Sequence, residues 1–181
     1  MFGLLFLKLS KALALVVMLA TLTSACLLRP SEEAKLARWE WGRNLAIRVL
    51  EMDRKDQMAY IKDGQHFILK PASQEAVLQA VKVEIYQNGS AALFLTPNSS
   101  KVSLGYGKDK SSTPIPLDRG ISASQEAALP YLKTPLFDER VTLPKDNVIS
   151  GWLLFEIPKD SIPSRLTWDD IDHVVVPLPA K

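Results

Sequence analysis

Cysteine is almost missing from this 181-residue sequence: Cys26 is the only one, so no disulfide can close within the chain. Histidine is nearly as scarce. His66 and His173 stand far apart, and neither has a second histidine or a cysteine at the spacing of a zinc site. No uninterrupted apolar run reaches the roughly 20 residues that a membrane-spanning helix needs. A basic block that would hold nucleic acid is also lacking, as is the Gly-x-Ser-x-Gly elbow of one large class of serine hydrolases. Gly105-Tyr106-Gly107-Lys108-Asp109-Lys110-Ser111-Ser112 has the composition of a phosphate loop. It lacks the Gly-x4-Gly-Lys-Ser/Thr spacing and reads as a solvated turn.

What is present begins with an export segment. Lys8 and Lys11 precede the apolar run Ala12 to Ala20, and the small residues Thr23 and Ala25 follow. This is the charged, apolar, small-residue order of a secretory signal, predicted over residues 1–25. The whole chain carries 22 Lys+Arg and 20 Asp+Glu. Losing Lys8 and Lys11 with the signal leaves a formally neutral mature chain, so the basic balance belongs to the signal and not to the domain.

Leu22-Thr23-Ser24-Ala25-Cys26 resembles the lipobox of bacterial lipoproteins, with Thr23 where that family prefers leucine and Leu22 one place earlier. The resemblance implies that the Cys26 thiol is lipidated and becomes the new N-terminus. Each buried methylene contributes about 0.8 kcal/mol, so several acyl chains would hold the protein firmly where one would not. Leu27 rather than Asp follows the cysteine, which by the sorting rule of lipoproteins implies the outer membrane in a cell with two membranes. Residues 26–42 are expected to form the tether, with a short helix over Ser31 to Ala37 capped by Ser31.

From there on the chain alternates in steps of two. Leu45, Ile47 and Val49 fall on one face of a strand, and His66 to Lys70 forms another that stops at Pro71. A polar turn region is expected between them, from Asp53 to Asp63. Val81, Val83 and Ile85 give the clearest alternation, followed by Asn88-Gly89 and then Ala91 to Thr96. Asn-Gly suits a two-residue hairpin turn, predicting Ile85 opposite Ala92 and Val83 opposite Phe94. Val102 to Leu104, Val148 to Ile157 and Ile171 to Pro177 complete the strand candidates. The run Trp152 to Ile157 is apolar on both faces for most of its length, as expected of a central strand. Strands at short intervals, prolyl stops and no long amphipathic helix predict an all-β, antiparallel β-sandwich over residues 43–181.

Val81-Lys82-Val83-Glu84-Ile85-Tyr86-Gln87-Asn88-Gly89-Ser90 and Gly151-Trp152-Leu153-Leu154-Phe155-Glu156-Ile157-Pro158 resemble two strands of the telokin-like, immunoglobulin-related domain of small bacterial lipoproteins. That family is mostly without assigned activity, so the resemblance implies an immunoglobulin-like fold and no chemistry.

No catalytic residue, cofactor or metal is assigned. Asp169-Asp170-Ile171-Asp172-His173 is the densest ligand-like cluster, but in a strand Asp170 and Asp172 share a face and His173 takes the other. Trp39, Trp41, Trp152 and Trp168 could form an aromatic platform, against the alternative of core or edge packing. The irregular interval from Gly105 to Arg140 either binds something or closes one end of the sandwich; one helical turn is expected in it, opened by Ser122 and Gln125 and running through Ala128. The expected function is that of a non-catalytic envelope lipoprotein, held to the membrane by Cys26 and meeting an envelope protein. A ligand carrier with a pocket near residues 105–140 is the alternative.

Overall fold

The alternation of Val81, Val83 and Ile85 continues in both directions into the long strand β5, Ala76–Gln87, on which the domain is built. The computed structural model describes residues 36–137 and 140–179. The chain divides into Met1–Ser31 and Glu32–Lys181, and all described residues belong to the second unit. Cys26, the export segment and most of the predicted Ser31 to Ala37 helix lie outside them.

The first sheet has the order β1-β2-β5-β11, with β1 Glu40–Trp41, β2 Leu45–Lys55 and β11 Val148–Pro158, every pair antiparallel. A second sheet has the order β13-β12-β7-β8, formed by β7 Val102–Tyr106, β8 Lys110–Ser112, β12 Pro163–Trp168 and β13 Val174–Pro177. Strands β6, Leu93–Leu95, and β10, Val141–Leu143, form a small pair. β3 Met58–Lys62, β4 Gln65–Leu69 and β9 Ile121–Ala123 form a three-stranded cover sheet. The fold is an antiparallel β-sandwich, as predicted. Its first strand begins at Glu40, inside the span expected to be tether.

Two cores result because side chains alternate across β5 and β11. On one face of the first sheet, Leu45, Ile47, Val49, Val81, Val83, Ile85, Leu153, Phe155 and Ile157 pack with Val102, Leu104, Leu166, Trp168, Val174 and Val176 of the second. On the other face, Leu78, Ala80, Trp152 and Leu154 pack with Met58, Tyr60 and Leu69 of the cover sheet and with Ile115 and Leu117. Burying residues on both faces explains why the Trp152 to Ile157 run lacks a polar side.

Four expectations fail. β6 does not form a hairpin with β5: it pairs with β10, because β2 and β11 already occupy both edges of β5. After Gln87, the Asn88 N–H donates to the Asn44 carbonyl at 2.8 Å, and the buried Gln87 side chain accepts from the Asp146 N–H at 3.0 Å and donates to the Ala91 carbonyl. The two-residue turn lies instead at Asp63-Gly64, with φ of 51° and 76°, joining β3 to β4 inside the region expected to be a turn throughout. Strand β11 is not central. It ends the first sheet, and its open side is closed by non-strand backbone: Ile115 N–H to the Leu154 carbonyl at 2.8 Å, Phe137 N–H to the Trp152 carbonyl at 3.0 Å and Trp152 N–H to the Pro135 carbonyl at 2.9 Å. The helical turn expected in the irregular interval, α1, covers Gln125–Ala128, capped by Ser124 Oγ accepting from the Ala127 N–H at 3.3 Å. The predicted cap was two residues earlier.

Candidate binding surface

The interval from Gly105 to Arg140 builds structure where a binding loop was one expectation. Ile115 and Leu117 fill the second core, and Tyr60 donates its hydroxyl to the Leu117 carbonyl. Lys133 fastens the following stretch: its ammonium is 2.6 Å from Asp53 and 4.5 Å from the centre of the Trp152 ring. Gly151 leaves room for Phe137, whose ring would stand 3.0 Å from an added Cβ. The close approach a strand glycine signals is thus made by an aromatic ring.

The acidic cluster is likewise spent on the fold. Asp170 Oδ2 accepts from the Thr96 N–H at 2.7 Å and from the Thr96 hydroxyl at 2.8 Å, and Lys101 lies 3.2 Å from Oδ1. Burial pushes this carboxyl up, but those hydrogen bonds and the Lys101 charge outweigh it and hold the pKa below its ordinary value. Asp172 Oδ2 accepts from the Asn44 and Leu45 N–H groups at 2.7 and 3.2 Å, and Oδ1 from the His173 N–H at 3.1 Å. Here too burial raises the pKa and backbone donors from Asn44, Leu45, His173 and Arg43 bring it below the ordinary value. His173 Nδ1 meets Asp169 Oδ1 at 2.5 Å, at the surface. Among the described residues no group of three His, Cys, Asp or Glu side chains is placed to hold a metal ion. His66 sits apart in β4, opposite Ala123.

The four tryptophans do not form one platform. Trp168 is fully buried, its Nε1–H donating to the Asp170 carbonyl at 3.0 Å, and Trp152 is buried in the second core. Trp39 and Trp41 do come together, each edge-on to Tyr86 with ring centres 6.3 and 6.1 Å away. The Arg48 guanidinium lies 4.5 Å over Trp39 and pairs with Glu84 at 2.6 Å. In register, Trp41 stands opposite Ala46, Ala46 opposite Tyr86, and Tyr86 opposite Val148. Trp41 is 60% exposed and Val148 49%. This row is the outer face of the first sheet beyond the reach of the cover sheet. The sequence held the two tryptophans, but their joining to Tyr86 and Val148 depends on strand pairing that alternation alone does not disclose.

A groove of about 470 Å³ follows the other part of β2, lined by Leu36, Leu50, Glu51, Met52, Asp53, Arg54, Gln79, Ile162, Pro163 and Pro179. None of this lining comes from residues 105–140, where the carrier alternative expected its pocket.

No protein-family model matches the chain, and no curated protein matches it. Three solved structures are similar in fold. One is a Bacillus subtilis protein, ycdA, provisionally classed as a lipoprotein, at 14% identity and a TM-score of 0.48, covering 78% of this chain and 39% of its own. The chain thus spans about two fifths of that protein. The second is an uncharacterised β-sandwich protein of Clostridium difficile 630, at 7% identity and a TM-score of 0.43, covering 74% of this chain and 83% of the other. The third, of unknown function, comes from Listeria monocytogenes EGD-e, at 14% identity and a TM-score of 0.43, covering 80% and 82%.

Proposed function

We propose that this chain is a non-catalytic lipoprotein of the cell envelope, in which a β-sandwich is held to the membrane through an acylated Cys26 and binds another envelope protein. The observation that carries the reading is the lone cysteine, set directly after the small residues of an export segment. Two features of the domain support the non-catalytic part. Asp170 and Asp172 of its densest carboxylate cluster are committed to backbone N–H groups, and His66 stands in β4 whereas His173 lies in the loop before β13. The resemblance of Val81 to Ser90 and of Gly151 to Pro158 to the telokin-like lipoprotein domain agrees with this. In a cell with two membranes, Leu27 after the cysteine directs the protein to the outer membrane.

The partner is sought by crosslinking in intact cells and purifying the acylated protein from membranes. The reading expects one envelope protein recovered in constant proportion across repeats and lost when the sandwich is deleted. Recovery of the chain alone, together with turnover of a substrate by the purified protein, would contradict it.

A further inference from the structure

Asparagine stands at positions 44, 88, 98 and 147, and of these only Asn88 is followed by glycine. The pair Asn88-Gly89 lies between the end of β5 at Gln87 and the start of β6 at Leu93. Among the described residues positive φ falls at Asp63, Gly64, Gly107, Asp146 and Ile171, and so at neither Asn88 nor Gly89. The type I′ geometry that would lock an Asn-Gly pair is not taken up. Asn88 is exposed, and its side-chain amide has no hydrogen-bond partner among the described residues. The Gly89 N–H has none among them either. Only the Asn88 N–H is fixed, donating to the Asn44 carbonyl at 2.8 Å.

This arrangement leaves a backbone nitrogen free to attack the side chain before it. Glycine has no Cβ to shield its nitrogen and turns readily to face the target, and a carboxamide with none of its donors or acceptors engaged is free to rotate. The other asparagines lack the combination. Leu45, Ser99 and Val148 follow them, and the Asn147 side chain donates to the Lys145 carbonyl at 3.1 Å.

We infer that Asn88 is a site of spontaneous deamidation, and that the change loosens the link between the end of β5 and the turn between β1 and β2. The Gly89 nitrogen bonds to Asn88 Cγ while the bond from Cγ to the side-chain nitrogen breaks, and the Gly89 proton leaves with that nitrogen as ammonia. Water then opens the cyclic imide at either carbonyl, giving aspartate or isoaspartate. Water is consumed, ammonia is released, and nothing is oxidised or reduced. In isoaspartate the backbone runs through Cγ and is longer by a methylene. That insertion comes directly after the N–H that holds Asn44, inside the loop that the Gln87 side chain closes on the Ala91 carbonyl.

The test is incubation of the mature protein at mildly alkaline pH in water labelled with heavy oxygen, followed by peptide mass mapping and enzymatic methylation of isoaspartate. Position 88 is expected to take up the label, with isoaspartate among its products, about ten times faster or more than Asn44, Asn98 and Asn147. Gly89→Ala should slow the conversion about tenfold by shielding the nitrogen. A Cβ at position 89 would stand 3.3 Å from Asn44 Oδ1, so Asn88→Gln, a change to an exposed side chain that would have to close a larger ring, is the second variant and should abolish it. Amide exchange at Asn88 should be faster in the aged wild type than in Asn88→Gln treated alike. Label entering position 88 only after unfolding in urea would show that the fold protects the pair and would overturn the inference. Isoaspartate arising at Asp63-Gly64 with Asn88 intact would do the same. Equal exchange at Asn88 in the two aged proteins would overturn the loosened link.

Discussion

Asp172 joins residues 128 positions apart in sequence: its carboxylate accepts from the Asn44 and Leu45 N–H groups and so fixes the turn that brings Trp41 back to β2. Gly42 has no side chain because Asp172 occupies that space, its Cγ standing 2.7 Å from where a Cβ would be. Removing the carboxylate in Asp172→Ala leaves the N–H donors of the turn without their charged partner, an expected loss of about 2 to 3 kcal/mol, measured by urea unfolding at neutral pH. The pH dependence follows from the lowered pKa values of Asp170 and Asp172. A carboxyl held lower in the native than in the unfolded chain contributes stability above about pH 4, and the contribution is lost as the pH falls through the native value. The gap between the wild type and Asp172→Ala should therefore narrow in acid. A gap of constant size down to about pH 2 would contradict the assignment. The sequence shows Asp169 to His173 as a cluster of ligand types; it does not show that the carboxylates face the N–H groups of Thr96, Asn44 and Leu45, which lie 74 to 128 residues away.

Element by element, alternation was the legible signal and pairing was not. Val81, Val83 and Ile85 place β5 correctly, but Asn88-Gly89 invites a hairpin that the occupied edges of β5 forbid. At Asp63-Gly64 the facing edges of β3 and β4 pair with each other, and the two-residue turn forms there. Gly64 has φ of +76° and nothing within 4 Å of an added Cβ, so Gly64→Ala should cost about 1 kcal/mol through backbone conformation alone. Unfolding midpoints for Gly64→Ala and Gly64→Asn check this, because asparagine tolerates the same conformation and should lose less. The edge of β11 was illegible for another reason. The segments that close it, around Ile115 and Pro135 to Phe137, have no strand pattern of their own. Lys133 holds the second segment to Asp53 at 2.6 Å with its side chain 13% exposed. Lys133→Ala should cost about 2 kcal/mol, because it leaves half-buried Asp53 with only the more distant, exposed Lys55 at 4.0 Å. Amide exchange should quicken first over residues 132–137.

At the scale of the whole molecule, the sequence disclosed the sandwich, because a half-buried strand writes its burial into alternate residues. It did not disclose the cover sheet, since β3 lies in a stretch whose charges read as turn, nor the aromatic face, which needs Trp39, Trp41 and Tyr86 brought together from two parts of the chain. The groove along β2 is assembled from five separate stretches and was invisible for the same reason. Everything proposed for the molecule as a membrane-held domain depends on Cys26. The direct measurement is the intact mass of the mature N-terminal peptide isolated from membranes. The account predicts that the peptide begins at Cys26 and carries acyl additions on it, and that Cys26→Ser shifts the protein out of the membrane fraction. A soluble product with an unmodified thiol at position 26 would contradict the lipoprotein reading.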